Sequence, residues 1–252
     1  MAPAQLSRSL IKHLDLFRSL PDAALDAALE KAQVYRLAEG DAAFRQGEVA
    51  DRFFVLLHGH LKVVQTTPDG EQVVVRYVQP GDVFGIARAM RRTHYPASTL
   101  AVHESLALSW PSSEWDHFIA GNPYFAANAL QTVGQRLQDA HTRIQELSTE
   151  EVEQRVARAL LRLVDQSGEQ TAEGILINFP ITRQDIAEMT GTTLHTVSRL
   201  LSAWKERGLV SSGRRRIVIC ALDDLIRLAE GPQPAAGGAT VRGSGTPAKQ
   251  TS

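Results

Sequence analysis

Between residues 193 and 199 the chain reads Thr-Leu-His-Thr-Val-Ser-Arg. Three hydroxyls, an imidazole and a guanidinium fall within two turns of a helix, with no carboxylate among them. Hydroxyls both donate and accept hydrogen bonds, and an arginine fork grips two acceptors at once. The chemistry is therefore recognition of an extended polar surface, not bond making. Further along, Arg214, Arg215 and Arg216 add three adjacent cations. Across 181–219 seven Lys/Arg face three acids, which gives +4 in that segment and −5 in the rest of a chain whose net charge is −1. Cations concentrated in one short segment are what a polyanion-binding module needs.

The elements that carry these residues follow from spacing. Thr182 with Asp185 predicts the start of a short helix with Ile186, Ala187 and Met189 facing inward. Gly191 supplies a left-handed turn, and Thr192 or Thr193 caps a second helix. Val197, Leu200, Leu201 and Trp204 form the buried stripe of that helix, which ends at Gly208. Two helices on a tight glycine turn make a helix-turn-helix, whose second helix enters the DNA major groove by its N-terminal part. Leu194, His195, Thr196, Ser198 and Arg199 are left facing outward. Arg199 can pair bidentately with a guanine edge, while Thr193, Thr196 and Ser198 can reach phosphates or bases. Arg183, in the first turn of the first helix, joins the DNA-binding set. The following LVSSGRRRIVI predicts two short strands around Ser212-Gly213, a wing with Arg214, Arg215 and Arg216 on the returning strand to neutralise phosphates.

The remainder of the 252 residues divides by period. Residues 1–35 read as helical, with Ala24, Leu25, Ala28, Leu29 and Ala32 on one face. Valine-rich alternating runs at 52–59, 60–66, 71–78 and 100–110, separated by close-set turn residues, predict an antiparallel β-roll. Leu130, Val133, Leu137, Ala140, Ile144 and Leu147 repeat as a heptad seam, the pattern of helices paired along their length. Ser148-Thr149-Glu150-Glu151 reads as a capping box that starts a new helix. The expected organisation is α+β: helices and β-roll over 1–120, a dimerisation helix over 121–148, a winged helix-turn-helix over 149–230, and a disordered tail over 231–252. No run of about 18 apolar residues spans a membrane. The N-terminus lacks a signal-peptide core, so a cytoplasmic location is expected. The single Cys220 excludes an internal disulfide and any cysteine-held cluster within one chain.

The stretch FRQGEVADRFFVLLHGHLKVV (44–64), the turn Gly81-Asp82-Val83-Phe84-Gly85, the long helix, and ITRQDIAEMTGTT with TVSRLL resemble the Crp/Fnr superfamily of bacterial transcription regulators from about residue 15 to 228. The resemblance implies a homodimer, an effector-sensing β-roll and winged helices that read a palindromic operator, with activation through RNA polymerase. The family's base-reading positions fall on Leu194, His195 and Arg199; the first two depart from the polar or acidic residues usual there, so Arg199 is the one carried over. The family's cyclic-nucleotide binders carry Gly-Glu and then Arg-Ser or Arg-Thr. Here the effector-pocket positions are Gly85-Ile86 and, one loop later, Pro96, Ala97 and Ser98. Glutamate and arginine are both missing. A buried cyclic phosphate without a cation is costly, so cyclic AMP is not expected as the effector, and the absent N-terminal cysteine cluster removes iron–sulfur sensing.

Histidines leave one cofactor route open, haem held through a histidine, as in relatives that sense nitric oxide or carbon monoxide. His13, His58, His60, His94 and His103 are its candidates, each read first as an ordinary exposed or packed histidine. The rival from another class is a cupin-like metal-dependent enzyme on the β-roll. His58-Gly59-His60 fits its His-x-His, but no carboxylate follows until Asp69 and Glu71, so three ligands are not available at that spacing.

Overall fold

The computed structural model describes residues 6–231. Two single 3-10 turns (Arg8–Leu10, Asp15–Phe17) precede α1 (Asp22–Lys31). Eight strands follow: β1 (Gln33–Leu37), β2 (Ala42–Phe44), β3 (Arg52–His58), β4 (Leu61–Thr66), β5 (Gln72–Val78), β6 (Val83–Phe84), β7 (Ser98–Ala101) and β8 (Ser105–Pro111). They form two antiparallel sheets, ordered β1-β8-β3-β6 and β2-β7-β4-β5. β3 is apolar at successive positions because both its faces are covered. Phe53 and Val55 enter a core shared with the N-terminal helices, while Phe54 and Leu56 enter the roll interior. Gly59, between β3 and β4, has φ +93°, and a Cβ there would lie 2.1 Å from the Ser105 hydroxyl. Only glycine fits.

The helical half begins with α2 (Ser113–Gly121) and α3 (Pro123–Thr149), which has proline in its first turn. Then come α4 (Val152–Ser167), β9 (Gly168–Thr171), β10 (Gly174–Ile177), α5 (Arg183–Thr190), α6 (Leu194–Glu206), β11 (Val210–Ser212), β12 (Ile217–Ile219) and α7 (Leu222–Glu230). The third sheet runs β11-β12-β10-β9. Its core joins Val156, Leu160 and Leu163 of α4 to Ile186, Val197, Leu201 and Trp204 of the helical hairpin, and extends to Val64, Val74, Tyr77 and Val102 of the roll. The two halves share one continuous apolar contact.

Several sequence expectations need correction. The helical reading of 1–35 fails at Gln33, where β1 begins and pairs with β8. The run 100–110 is two strands broken at 102–104. Ser148 and Thr149 start no helix: their hydroxyls donate to the Ile144 and Gln145 carbonyls inside α3. The capping box that opens α4 is formed by Glu151 and Gln154. The short strands β2, β6, β9 and β10 gave no alternating signal. The expected tail, 231–252, lies outside the described residues apart from Gly231. No helix among the described residues is long and apolar enough to cross a membrane.

Candidate nucleic-acid interface and effector domain

The helical hairpin forms where its caps demand. The Asp185 amide donates to Thr182 Oγ1 at 3.1 Å, and the Thr182 amide donates to Asp185 Oδ2 at 2.9 Å, a reciprocal cap on α5. Asp185 is also buried and accepts from Lys62 Nζ of β4 at 2.7 Å. Burial alone would raise its pKa, but the Lys62 ammonium and the Thr182 donors together hold it below the usual carboxylate range. Gly191 takes φ +61°, ending α5 in the left-handed turn. Thr193 caps α6: its hydroxyl accepts from the Thr196 amide at 3.2 Å and lies 3.0 Å from the Thr196 hydroxyl. Both hydroxyls therefore build the helix start, and their spare lone pairs and protons face outward. Val197, Leu201 and Trp204 are fully buried, and Trp204 Nε1 donates to Glu153 of α4 at 2.8 Å.

This packing leaves Leu194, His195 and Arg199 exposed on one end of α6, with Thr196 and Ser198 half-buried beside them. Arg199 has no ion pair among the described residues, so its fork is available. Arg183 is half-buried on the first turn of α5. The arrangement can insert a helix end carrying a guanidinium, an imidazole and hydroxyls into a groove about 12 Å wide.

The wing differs from its sequence reading. Arg214, Arg215 and Arg216 occupy the turn between β11 and β12, not the returning strand. Arg215 pairs with Glu39 at 2.6 Å and donates to the Val102 carbonyl at 3.2 Å, both in the roll. Arg216 pairs with Glu173 beside β10 at 3.2 Å. Arg214 alone of the three has no ion pair among the described residues. Two of the cations assigned to phosphates are thus held by carboxylates in this arrangement. The acids are 176 and 43 residues away, beyond any local pattern.

Along α3 the seam residues face solvent in the single chain. Leu130 is 73%, Leu137 57% and Ile144 61% exposed, with Val133, Ala140 and Leu147 on the same stripe. A continuous apolar stripe on a 27-residue helix is an unpaired surface.

In the roll, Ile86 is buried in the core shared with the N-terminal helices, and Ala97 is buried nearby in sequence. Ser98 Oγ accepts from the Gln46 amide at 2.9 Å, while Gly85 and Pro96 are half-buried. Aromatic rings fill the roll interior. Tyr95 stacks on Phe44 with centroids 3.8 Å apart, and Phe54 on Phe84 at 5.0 Å. The Tyr95 hydroxyl donates to the Arg52 carbonyl at 2.6 Å. Burial pushes its pKa up to about 12, so it stays a neutral donor. Sequence reasoning did not single out Tyr95, although its position next to Pro96 was the available signal.

The histidines separate. His60 Nδ1 lies 3.1 Å from His103 Nε2, and the His60 ring stacks on Phe179 of the helical half at 4.5 Å. Burial, then the neighbouring His103 and His58, push the His60 pKa down to about 4. His13 is bonded to the Ser9 carbonyl and His94 lies beside the Thr93 hydroxyl. Among the described residues no group of three or more His, Cys, Asp or Glu is placed to hold a metal.

Comparison with known proteins fits this division. A Crp-like helix-turn-helix domain profile matches residues 154–228, and a cyclic nucleotide-binding domain profile matches 34–122. A CRP-like cAMP-activated global transcriptional regulator of Mycobacterium tuberculosis is 24% identical over 220 residues, covering 87% of this chain and 98% of the relative. The cyclic AMP receptor protein of Thermus thermophilus is 29% identical over 203 residues, covering 81% and 91%. Among solved structures, a CRP-family transcriptional regulator, also of Thermus thermophilus, has a TM-score of 0.68 at 26% identity, covering 80% of this chain and 100% of that one. FixK2 of Bradyrhizobium japonicum has a TM-score of 0.70 at 22% identity, with coverage of 80% and 99%, a likeness of fold.

Proposed function

Because this chain belongs to the Crp/Fnr family, and is a DNA-binding transcription regulator with an effector-binding domain and not a cupin-like enzyme, we propose that it acts as a cytoplasmic homodimer on a palindromic operator. The observation that carries this is the pairing of two exposed features in one chain: the apolar seam of α3 and the cationic N-terminal end of α6. Parallel pairing through Leu130, Val133, Leu137, Ala140, Ile144 and Leu147 buries the seam and sets two α6 helices on one face. Arg199 then reads a base edge in each half-site, with Leu194, His195, Thr196 and Ser198 around it. Arg183, Thr193 and Arg214 supply phosphate contacts, and RNA polymerase is the downstream partner for activation. Selection from a random DNA library tests the reading. An inverted repeat with half-sites about one helical turn apart, or a multiple of that, is expected. A single unpaired half-site would overturn the dimeric reading.

The effector is not cyclic AMP on this reading, although one relative named above is cAMP-activated and another is a cyclic AMP receptor protein. The support is the aromatic filling of the roll by Phe44, Tyr95, Phe54 and Phe84, and the apolar Ile86 and Pro96 at the matching positions. Calorimetric titration with millimolar cyclic AMP is expected to give no specific heat; saturable micromolar binding overturns this. Haem gains no support from His60 and His103, whose facing nitrogens are engaged with each other.

A further inference from the structure

Three imidazoles meet where the roll touches the DNA-reading half: His58 at the end of β3, His60 just before β4, and His103 between β7 and β8. His58 and His103 stand edge to face with centroids 6.5 Å apart. His60 is the contact across the junction. Its Nδ1 lies 3.1 Å from His103 Nε2, and its ring stacks on Phe179, between β10 and α5, at 4.5 Å and 23°. Phe179 is buried and belongs to the core that joins the two halves.

No acid holds these rings in the charged form. Among the described residues the one histidine within ion-pair distance of a carboxylate is His117, beside Glu114 on α2. His58 faces both rings of the pair, and Glu39 and Arg215 face His103. Glu39 and Arg215 already pair with each other, so they leave no net counter-charge for an imidazolium. Lys62 and Asp185, the next charges of the junction, likewise neutralise each other at 2.7 Å. From the DNA-reading half His60 meets the Phe179 ring and no carboxylate.

The geometry of the pair counts protons. With both rings neutral, one nitrogen donates and the other accepts. One charged ring can still act as the donor. With both charged, two N–H groups face each other at 3.1 Å and the contact is repulsive. Burial, and then His103 and His58, lower the His60 pKa to about 4; burial, and then His58, lower that of His103. Parting the two halves strips Phe179 from His60 and returns the ring to water, where it charges near its ordinary 6.5. The docked arrangement is thus fully favoured above that value and is lost as pH falls from it towards 4.

We infer that His60 and His103 form a proton-operated latch: acidification charges both rings, parts the DNA-reading half from the roll, and frees Arg215 from Glu39 for phosphate. The consequence for DNA rests on the regulator reading above; the latch itself does not.

Hydrogen exchange of the full chain, corrected for the intrinsic effect of pH, tests the latch at pH about 7.5 and about 5.5 in wild type, His60→Phe and His103→Gln. In wild type the junction segments 60–66 and 177–185 are expected to lose protection at the lower pH while α4 keeps it. His60→Phe keeps a ring on Phe179 and cannot charge, so its junction is expected to stay protected at both. His103→Gln leaves one imidazole with a neutral partner, and a smaller loss is expected. Anisotropy with scrambled DNA at constant salt measures the consequence. One pH unit below the ordinary value changes docking by up to about tenfold per ring, so wild type is expected to gain several-fold in affinity relative to His60→Phe. Both proteins carry His195, whose own titration cancels in the comparison. Equal junction protection at both pH values, or the same pH response in His60→Phe as in wild type, overturns the latch. Loss of protection throughout α4 does so too, because acid then unfolds the domain instead of parting it. Opening without a gain for DNA overturns the gating of DNA, and selection from random DNA by the wild type near neutral pH tests the regulator reading separately.

Discussion

Arg199 and Arg214 both lack an ion pair among the described residues, and the proposed complex with DNA gives them different work. Arg199 projects from the exposed end of α6, and on the proposed reading its guanidinium pairs with the O6 and N7 of a guanine. Arg199→Ala is expected to cost about 1–3 kcal/mol per half-site and to relax preference at one base pair. Arg214 lies on the turn between β11 and β12, and on the same reading it meets phosphates and not bases. Arg214→Ala is expected to weaken all DNA alike and to lower the salt slope by about one. Anisotropy titrations of selected and scrambled DNA over a salt series separate the two; base preference lost with Arg214 and kept without Arg199 reverses the assignment. His60 gives a prediction in pH. It is held neutral by burial and by His103 and His58, with a pKa of about 4 against an ordinary 6.5. Between those values the unfolded chain binds a proton that the folded chain refuses, so stability falls as pH drops from about 6.5 towards 4. His60→Phe, which keeps a ring against Phe179, is expected to flatten that slope in urea titrations at stepped pH. An unchanged slope places the titrating group elsewhere.

At the scale of elements, α3 has two faces with different tasks. One carries the seam. The other grips the roll and the hairpin, for Arg143 donates to the Val74 carbonyl at 2.9 Å, the Val75 carbonyl at 2.6 Å, and the Met189 carbonyl of α5. Leu137→Glu places an ion on the seam, 57% exposed in the single chain and buried once two helices pair. Sedimentation is expected to show a folded monomer with selective DNA binding lost. A DNA-competent dimer would remove the seam from the interface. The local signals for the hairpin were nearly complete in the sequence: a cap at Thr182, glycine at 191, a cap at Thr192 or Thr193, which the structure resolves to Thr193, and a stripe ending at Trp204. For α4 they misled, since Ser148 and Thr149 have the right side chains but sit inside a helix that continues, where hydroxyls donate to carbonyls four residues back.

The whole molecule holds its DNA-reading half against the roll by polar and apolar contacts together. Lys62 reaches the cap residue Asp185, Arg215 reaches Glu39, and Phe179 packs between His60 and Tyr77 at 4.5 and 4.8 Å. A wing arginine paired with Glu39 is withheld from phosphate. Glu39→Ala is expected to release Arg215, raising affinity for operator and scrambled DNA alike and steepening the salt dependence by about one. Unchanged binding would mean that Arg215 faces DNA in neither case. The Arg215–Glu39 pair is exposed on both sides, so little stability is lost with it.

The sequence by itself determined the order of the modules, the helical hairpin, the capping of its helices and the residues that its second helix turns outward. Each rests on positions within about four residues of one another, where backbone geometry links spacing to facing. Tertiary structure alone decided what the charged and aromatic side chains meet. Arg215 finds an acid 176 residues away, Lys62 one 123 away, and His60 a ring in the other half of the chain. The rings that fill the roll come from Phe44, Phe54, Phe84 and Tyr95, on separate strands and loops.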